Sequence, residues 1–193
     1  MHSESIQPLL AQMPLAEYTA QYVDIPKFYA CCQACPNFGR RWSCPPFSFR
    51  PEELWRSYET IVLHGRKLRT PPQLLAQSFP PEQLQAQYES LLRPVRQELD
   101  QYLLALEQQT PGSLALFAGS CAICQACTRQ QGAPCRHPET LRYSIEALGG
   151  DVSRTISQCL GERLLWAEAG KLPPHFILLG GLLLPHTQNH PAE

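Results

Sequence analysis

The feature that most constrains this chain is the grouping of its cysteines. Only Cys159 stands apart from the others. The remaining eight form two groups of four: Cys31, Cys32, Cys35 and Cys44, then Cys121, Cys124, Cys127 and Cys135. In a reducing compartment, thiols grouped in this way more often bind a metal than pair as disulfides. The sequence therefore predicts a fold that holds two thiol-rich segments around inorganic centres.

Composition and charge narrow the class of protein. A chain of 193 residues with 44% hydrophobic content fits one domain spanning 1–193, with a frayed tail expected at 186–193. A net charge of -1 argues against nucleic acid or an anionic membrane surface as a partner. No apolar run approaches the ~20 residues that span a bilayer.

The N-terminal segment bears on localisation. It has no basic region before its apolar residues, and Pro8, Pro14 and Glu17 interrupt them. A secretory signal needs both a basic region and an uninterrupted apolar stretch, so we expect a cytoplasmic protein.

Hydrophobic patterning predicts a mixed fold. Strands are expected at 58–65, 112–119 and 175–184, and helices from Pro51, over 81–109, over 138–148 and from Asp151. Pro94 should kink or split the long helix, and 66–80 should be irregular. This order describes an α+β or α/β protein: a small β-sheet with helices packed on it and two cysteine-rich metal-binding loops at one edge.

The second cysteine group has the more informative spacing. Its Cys-x2-Cys-x2-Cys run presents three thiolates from one tight turn, as iron-sulfur ferredoxins do. Cys135 can supply a fourth ligand locally, or it can serve another cluster, as the fourth cysteine of the bacterial ferredoxin run does. Zinc is the competitor, but two hooks of two cysteines would leave the third cysteine of the run surplus. The spacing therefore favours a [4Fe-4S] cluster over zinc.

The first cysteine group leaves more open. Cys32 and Cys35 form a Cys-x2-Cys hook, and the prolines after Cys44 are similar to the cysteine-proline end of the ferredoxin run. Cys31 is either a fourth ligand or a bystander, because adjacent residues seldom point the same way. The group can hold its own cluster, share one with the second group or form a reactive thiol pair. One or two clusters per chain are expected.

Longer motifs carry a family resemblance. "CPPFS" after the first hook, together with "CAICQACTRQQGAPCRHPETLRYSIEALGGDV", resembles the predicted metal-binding proteins of domain of unknown function 2284. Beyond the cysteines, the matching positions are Arg136, Pro138, Arg142, Ser144, Glu146, Ala147, Gly149 or Gly150, Asp151 and Val152. The resemblance runs from about Cys32 to the last strand and implies a metal site built from these cysteines.

Four polar residues of the motif are candidates for tuning the centre through hydrogen bonds to its ligands or for lining a partner pocket: Arg136, Arg142, Ser144 and Glu146. The alternative makes the arginines surface residues or salt-bridge partners and Glu146 a helix-surface ion-pair partner. Capping of a helix alone explains Asp151.

The leading hypothesis is a cytoplasmic iron-sulfur protein that passes single electrons to a redox protein partner. A zinc-stabilised interaction module without redox function is one alternative. An enzyme that uses an open cluster site or a reactive thiolate is another. The chain has no glycine-rich phosphate loop, nucleophile elbow or histidine triad, so we assign no catalytic residue and expect a stand-alone enzyme less than a metal-binding protein.

Overall fold

A computed structural model describes residues 6–186 of the chain. Strands β1 (Ile6–Pro14), β2 (Thr60–Arg69), β3 (Leu114–Leu116) and β4 (His175–Leu184) form one sheet in the order β1-β2-β4-β3. The helices are α1 (Leu15–Tyr22), α2 (Ile25–Gln33), α3 (Pro51–Arg56), α4 (Pro72–Leu75), α5 (Pro81–Gln109) and α6 (Val152–Cys159). Every strand pairing is antiparallel, which makes the fold α+β. The tail expected at 186–193 lies, beyond its first residue, outside the described residues.

The two central strands are covered on both faces. Ile61 of β2 and Leu183 of β4 pack in a core with α1, α3 and α6, whereas Phe176 and Leu182 of β4 pack against α5. A strand buried on both sides reads as a continuous apolar run. That is why the strand predicted at 175–184 is confirmed at both ends.

Helix α5 lies along the second face of the sheet. Its buried residues, Leu91, Val95, Leu99 and Leu103, recur at four-residue steps. The predicted helix at 81–109 is confirmed. Pro94 was expected to kink or split it, and of these two effects the split does not occur, since the helix continues through the proline. Pro94 is exposed, and buried residues before and after it hold both halves on the sheet.

Strands β1 and β2 differ from the prediction. Strand β2 runs on to Arg69 instead of ending at Gly65, so the expectation that 66–80 is irregular is wrong for its first residues. Gly65 faces Leu9 of β1, and a Cβ there would lie 3.0 Å from Leu9 Cβ, so the glycine allows close packing. Strand β1 itself was not predicted because Pro8 and Pro14 interrupt its pattern.

The helix predicted at 138–148 does not form, because part of its backbone is hydrogen-bonded to the residue that follows β3. Phe117 N donates to Tyr143 O (2.8 Å), which holds this segment extended beside the end of β3. A tight turn follows, in which Gly150 N donates to Ile145 O (2.8 Å). The next helix, α6, begins as expected, with Asp151 Oδ1 accepting from Arg154 N (2.9 Å).

Candidate metal centre

The first cysteine group begins on a helix. Asp24 caps α2 by accepting from Lys27 N (3.1 Å), and the last turn of the helix carries Cys31 and Cys32. Cys31 is exposed and Cys32 is half-buried. The chain then turns twice, placing Cys35 in an exposed position and Cys44 in a buried one.

The second group follows β3 in a segment with little regular structure. Its cysteines flank a single 3-10 turn, Thr128–Gln131, which ends at Gly132 with a left-handed φ of 66°. One small cavity is lined by all four residues of the group: Cys121, Cys124, Cys127 and Cys135. The structure thus brings together the complete second group.

Backbone N–H groups point at two of these sulfurs. Ile123 N–H bonds the thiol of Cys121, and His137 N lies 3.4 Å from Cys135 Sγ. Hydrogen bonds of this kind stabilise a thiolate and tune the potential of a cluster bound to it.

Electrostatics oppose ionisation of the buried thiols. Burial, followed by the charges of the other three cysteines of its group, raises the pKa of Cys121. Burial likewise raises the pKa of Cys44, and it raises that of Cys32 to about 11. A nucleophilic cysteine needs the opposite shift. A bound metal cation would compensate the clustered negative charge and deprotonate the thiols.

Ser43 joins the two groups directly. Its side chain is fully buried, its Oγ accepts from Cys121 N (2.9 Å), and the same oxygen lies 3.9 Å from Cys44 Sγ. One hydroxyl therefore touches a sulfur of the first group and the backbone of the second.

Two arginines link the cysteine segments, and each donates hydrogen bonds from its own segment to the other. Arg41, in the first loop, donates to Cys121 O (2.7 Å). Arg129, in the second loop, donates to Arg41 O (2.9 Å) and Cys44 O (2.5 Å), and its guanidinium lies 5.1 Å from the centre of the Trp42 ring. These contacts make the two cysteine segments one structural unit.

The donor set suits a thiophilic metal, although the site is tight. Thiolates are the preferred ligands of iron-sulfur clusters and of structural zinc. The cavity lined by the second cysteine group has about 20 Å³ of free space, roughly enough for one water. Within residues 6–186, no three histidine, cysteine, aspartate or glutamate side chains form a group that could hold a metal ion as they are oriented. The cysteines of the second group thus line the cavity without forming a metal site in the described residues.

The other predicted site residues have different surroundings. Arg136 lines the cavity and donates to Ala126 O (3.3 Å). Arg142 forms a bidentate ion pair with Glu107, and its Nε lies 2.6 Å from Glu107 Oε2. Ser144 is buried and its hydroxyl accepts from Ala147 N (3.2 Å).

Glu146 is buried rather than exposed on a helix. Burial raises the pKa of its carboxyl, and Ser144 hydrogen-bonds it. Its Oε2 has no hydrogen-bond partner within the part of the chain that the structure describes. Neither this burial nor the role of Ser43 has a sequence signal, since both depend on contacts between distant segments.

A larger cavity of about 690 Å³ lies between α1, α2 and α3. No cysteine lines it. Every helix within residues 6–186 is too short or too polar to cross a membrane.

The fold is that of an α+β protein, and hydrogen bonds of Ser43, Arg41 and Arg129 link its two cysteine segments. The chain matches the family model described as predicted metal-binding protein (DUF2284) over residues 19–184, and it belongs to that family. The matched range contains all nine cysteines, so the resemblance seen in the sequence is confirmed. None of the curated proteins and none of the solved structures compared with the chain matches it.

Proposed function

We propose that this protein is a cytoplasmic iron-sulfur protein that carries a [4Fe-4S] cluster on its second cysteine group and passes single electrons to a protein partner. The observation that carries the proposal is the meeting of Cys121, Cys124, Cys127 and Cys135 at one cavity. Three of them have the spacing with which one turn of chain holds a cluster, and the fourth completes the set. A bound cluster would supply a one-electron redox couple.

The residues of the chain have distinct parts in this proposal. The four thiols would hold the cluster, and the N–H groups of Ile123 and His137 would stabilise the charge on their sulfurs. Arg41 and Arg129 place positive charge beside a centre that is negative when fully thiolate-ligated, and they fix the loop that contains it.

Exchange with a protein partner is supported by the exposure of the site. Ile123 lines the cavity, yet 43% of its surface is exposed. An exposed apolar residue next to a redox centre suits the small, transient interfaces of redox partners. The free state of all nine cysteines suits a reducing compartment.

Metal and sulfide analysis after purification without oxygen tests the proposal. We expect acid-labile sulfide and iron in equal amounts, broad visible absorption and bleaching by dithionite. Cys121→Ser should lose iron from this site, whereas the matched control Cys159→Ser should keep it, since Cys159 lies on α6 and packs against the core. A colourless protein with stoichiometric zinc would end the proposal in favour of a structural zinc module.

A further inference from the structure

The cavity of about 690 Å³ between α1, α2 and α3 has a wall of core residues. Leu15 and Trp55 both line it, and they are 1% and 3% exposed. Trp55 Nε1 donates to Leu148 O (2.9 Å), so the one polar atom of the indole is already bonded and its ring is fixed in place. The buried part of the wall is therefore apolar and held in one orientation.

Two helices each turn one face towards this cavity. Leu15, Thr19 and Val23 recur at four-residue steps along α1 and its C-terminal cap, and Glu52 and Arg56 are four residues apart on α3. Arg56 is exposed, so the cavity opens to solvent. Its volume lies within the range of roughly 300–1,000 Å³ that is typical of sites for small organic molecules.

Two carboxylates and one guanidinium line the cavity, and the carboxylates already have partners. Asp24 Oδ1 accepts from Lys27 N (3.1 Å), and Glu52 Oε2 lies 3.8 Å from Arg50 Nε. The guanidinium of Arg56 has neither an ion pair nor a hydrogen bond within residues 6–186. A guanidinium binds a carboxylate through two parallel hydrogen bonds, which makes an organic acid the matching ligand.

We propose that this cavity binds an organic acid with an apolar body, whose carboxylate pairs with Arg56 and whose body packs against Leu15 and Trp55. His186 also lines the cavity, with its Nε2 3.4 Å from Arg56 O, and places a second nitrogen-bearing ring beside this arginine. The cavity shares no lining residue with the one at the second cysteine group, so the inference does not depend on the proposed iron-sulfur function.

Three test ligands with the same apolar body measure the charge preference of the wild-type chain. These are 4-phenylbutyrate, 4-phenylbutanol and 4-phenylbutylamine, each titrated into the full chain at neutral pH by isothermal calorimetry. Because a hydrogen bond to a charged group is stronger than one to a neutral group, we expect the acid to bind about tenfold more tightly than the alcohol. The amine should bind more weakly than both.

Two pairs of variants locate the site. Arg56→Gln should reduce the affinity for the acid to that for the alcohol, whereas Arg93→Gln, which removes the same charge from an exposed position on α5, should leave both unchanged. Ala16→Phe places a ring at an exposed position that lines the cavity and should weaken the binding of all three ligands. Gln21→Phe, about 140° further round α1, is its control.

Several results would overturn the inference. These are equal binding of the acid and the alcohol, tighter binding of the amine, a preference for the acid that survives in Arg56→Gln, or affinities that Ala16→Phe leaves unchanged. The absence of binding by all three ligands at millimolar concentration would overturn it as well. Circular dichroism identifies a variant that has unfolded, and the three ligands compared on the wild-type chain then still decide.

Discussion

His64 is a buried histidine on one of the two central strands. It is 7% exposed, and its ring packs edge-on against Tyr102 of α5. Burial, and to a smaller extent the charge of Arg66, lowers its pKa to about 4. The unfolded chain binds a proton near pH 6.5, whereas the folded chain leaves His64 neutral down to about pH 4. Acid therefore favours unfolding between these two values.

Replacement of this histidine should remove that acid sensitivity. We expect the free energy of unfolding of the wild-type chain, relative to that of His64→Leu, to fall by up to about 3 kcal/mol from pH 7 to pH 4. Urea unfolding of both proteins at equal metal content measures the difference. A difference that does not change with pH contradicts the prediction.

Arg142 forms a largely buried ion pair with Glu107. Its side chain is 12% exposed and pairs with Glu107, which also accepts from Ala115 N (2.6 Å). Removing one member of a largely buried ion pair leaves the other charge uncompensated.

We therefore expect Arg142→Met to lower the free energy of unfolding by about 3 kcal/mol. Arg93→Met, on the exposed face of α5, should change it by less than about 0.5 kcal/mol. Equal effects of the two substitutions in urea unfolding would show that the pair contributes little. A shift in redox potential for Arg142→Met would instead support the role beside the centre that the sequence predicted.

At the scale of elements, α5 contains an internal proline, Pro94, which lowers the stability of the helix. Pro94 has no N–H to donate to Ser90 O, yet the helix continues through it. The proline is exposed, so its replacement disturbs no core contact. Pro94→Ala should raise the free energy of unfolding by about 1–3 kcal/mol, measured by thermal or urea unfolding. An unchanged or lowered stability would mean that the helix is bent in a way that accommodates proline.

Which elements the sequence predicted depends on how local their causes are. Helix α5 was predicted correctly because its apolar residues recur at helical steps, and strand β4 because burial on both faces gives a continuous apolar run. The helix expected at 138–148 failed because its backbone pairs with Phe117 of a distant segment. Such a contact leaves no periodic mark in either stretch.

In the candidate site, too, features with a local cause were predicted, whereas features that depend on distant contacts were not. The spacing of Cys121, Cys124 and Cys127 predicted that one turn would present them together, and they line one cavity. The contact of Ser43 with the second group could not be predicted, because 78 residues separate Ser43 from Cys121. Burial of Glu146 likewise depends on a turn that was expected to be a helix.

At the scale of the whole molecule, the cysteine segments and the sheet have different sources of stability. The apolar cores are built on β2, β4 and α5, whereas the loops around the second group contain one short 3-10 turn. We expect metal removal by a chelator to lower hydrogen-exchange protection over 31–50 and 119–141 while β2 and β4 remain protected. Loss of protection across the entire sheet would show that the metal stabilises the global fold.

The outer strands of the sheet carry a consequence for behaviour at high concentration. Strand β3 has only three residues, and β1 has Pro8 opposite Arg66 in its register and ends at Pro14. Short edges and prolines deny an incoming chain the continuous row of donors that edge-to-edge growth needs. The β1 border, with its two prolines, is thus a poor template for fibril formation, even though the central strands of the sheet are strongly apolar.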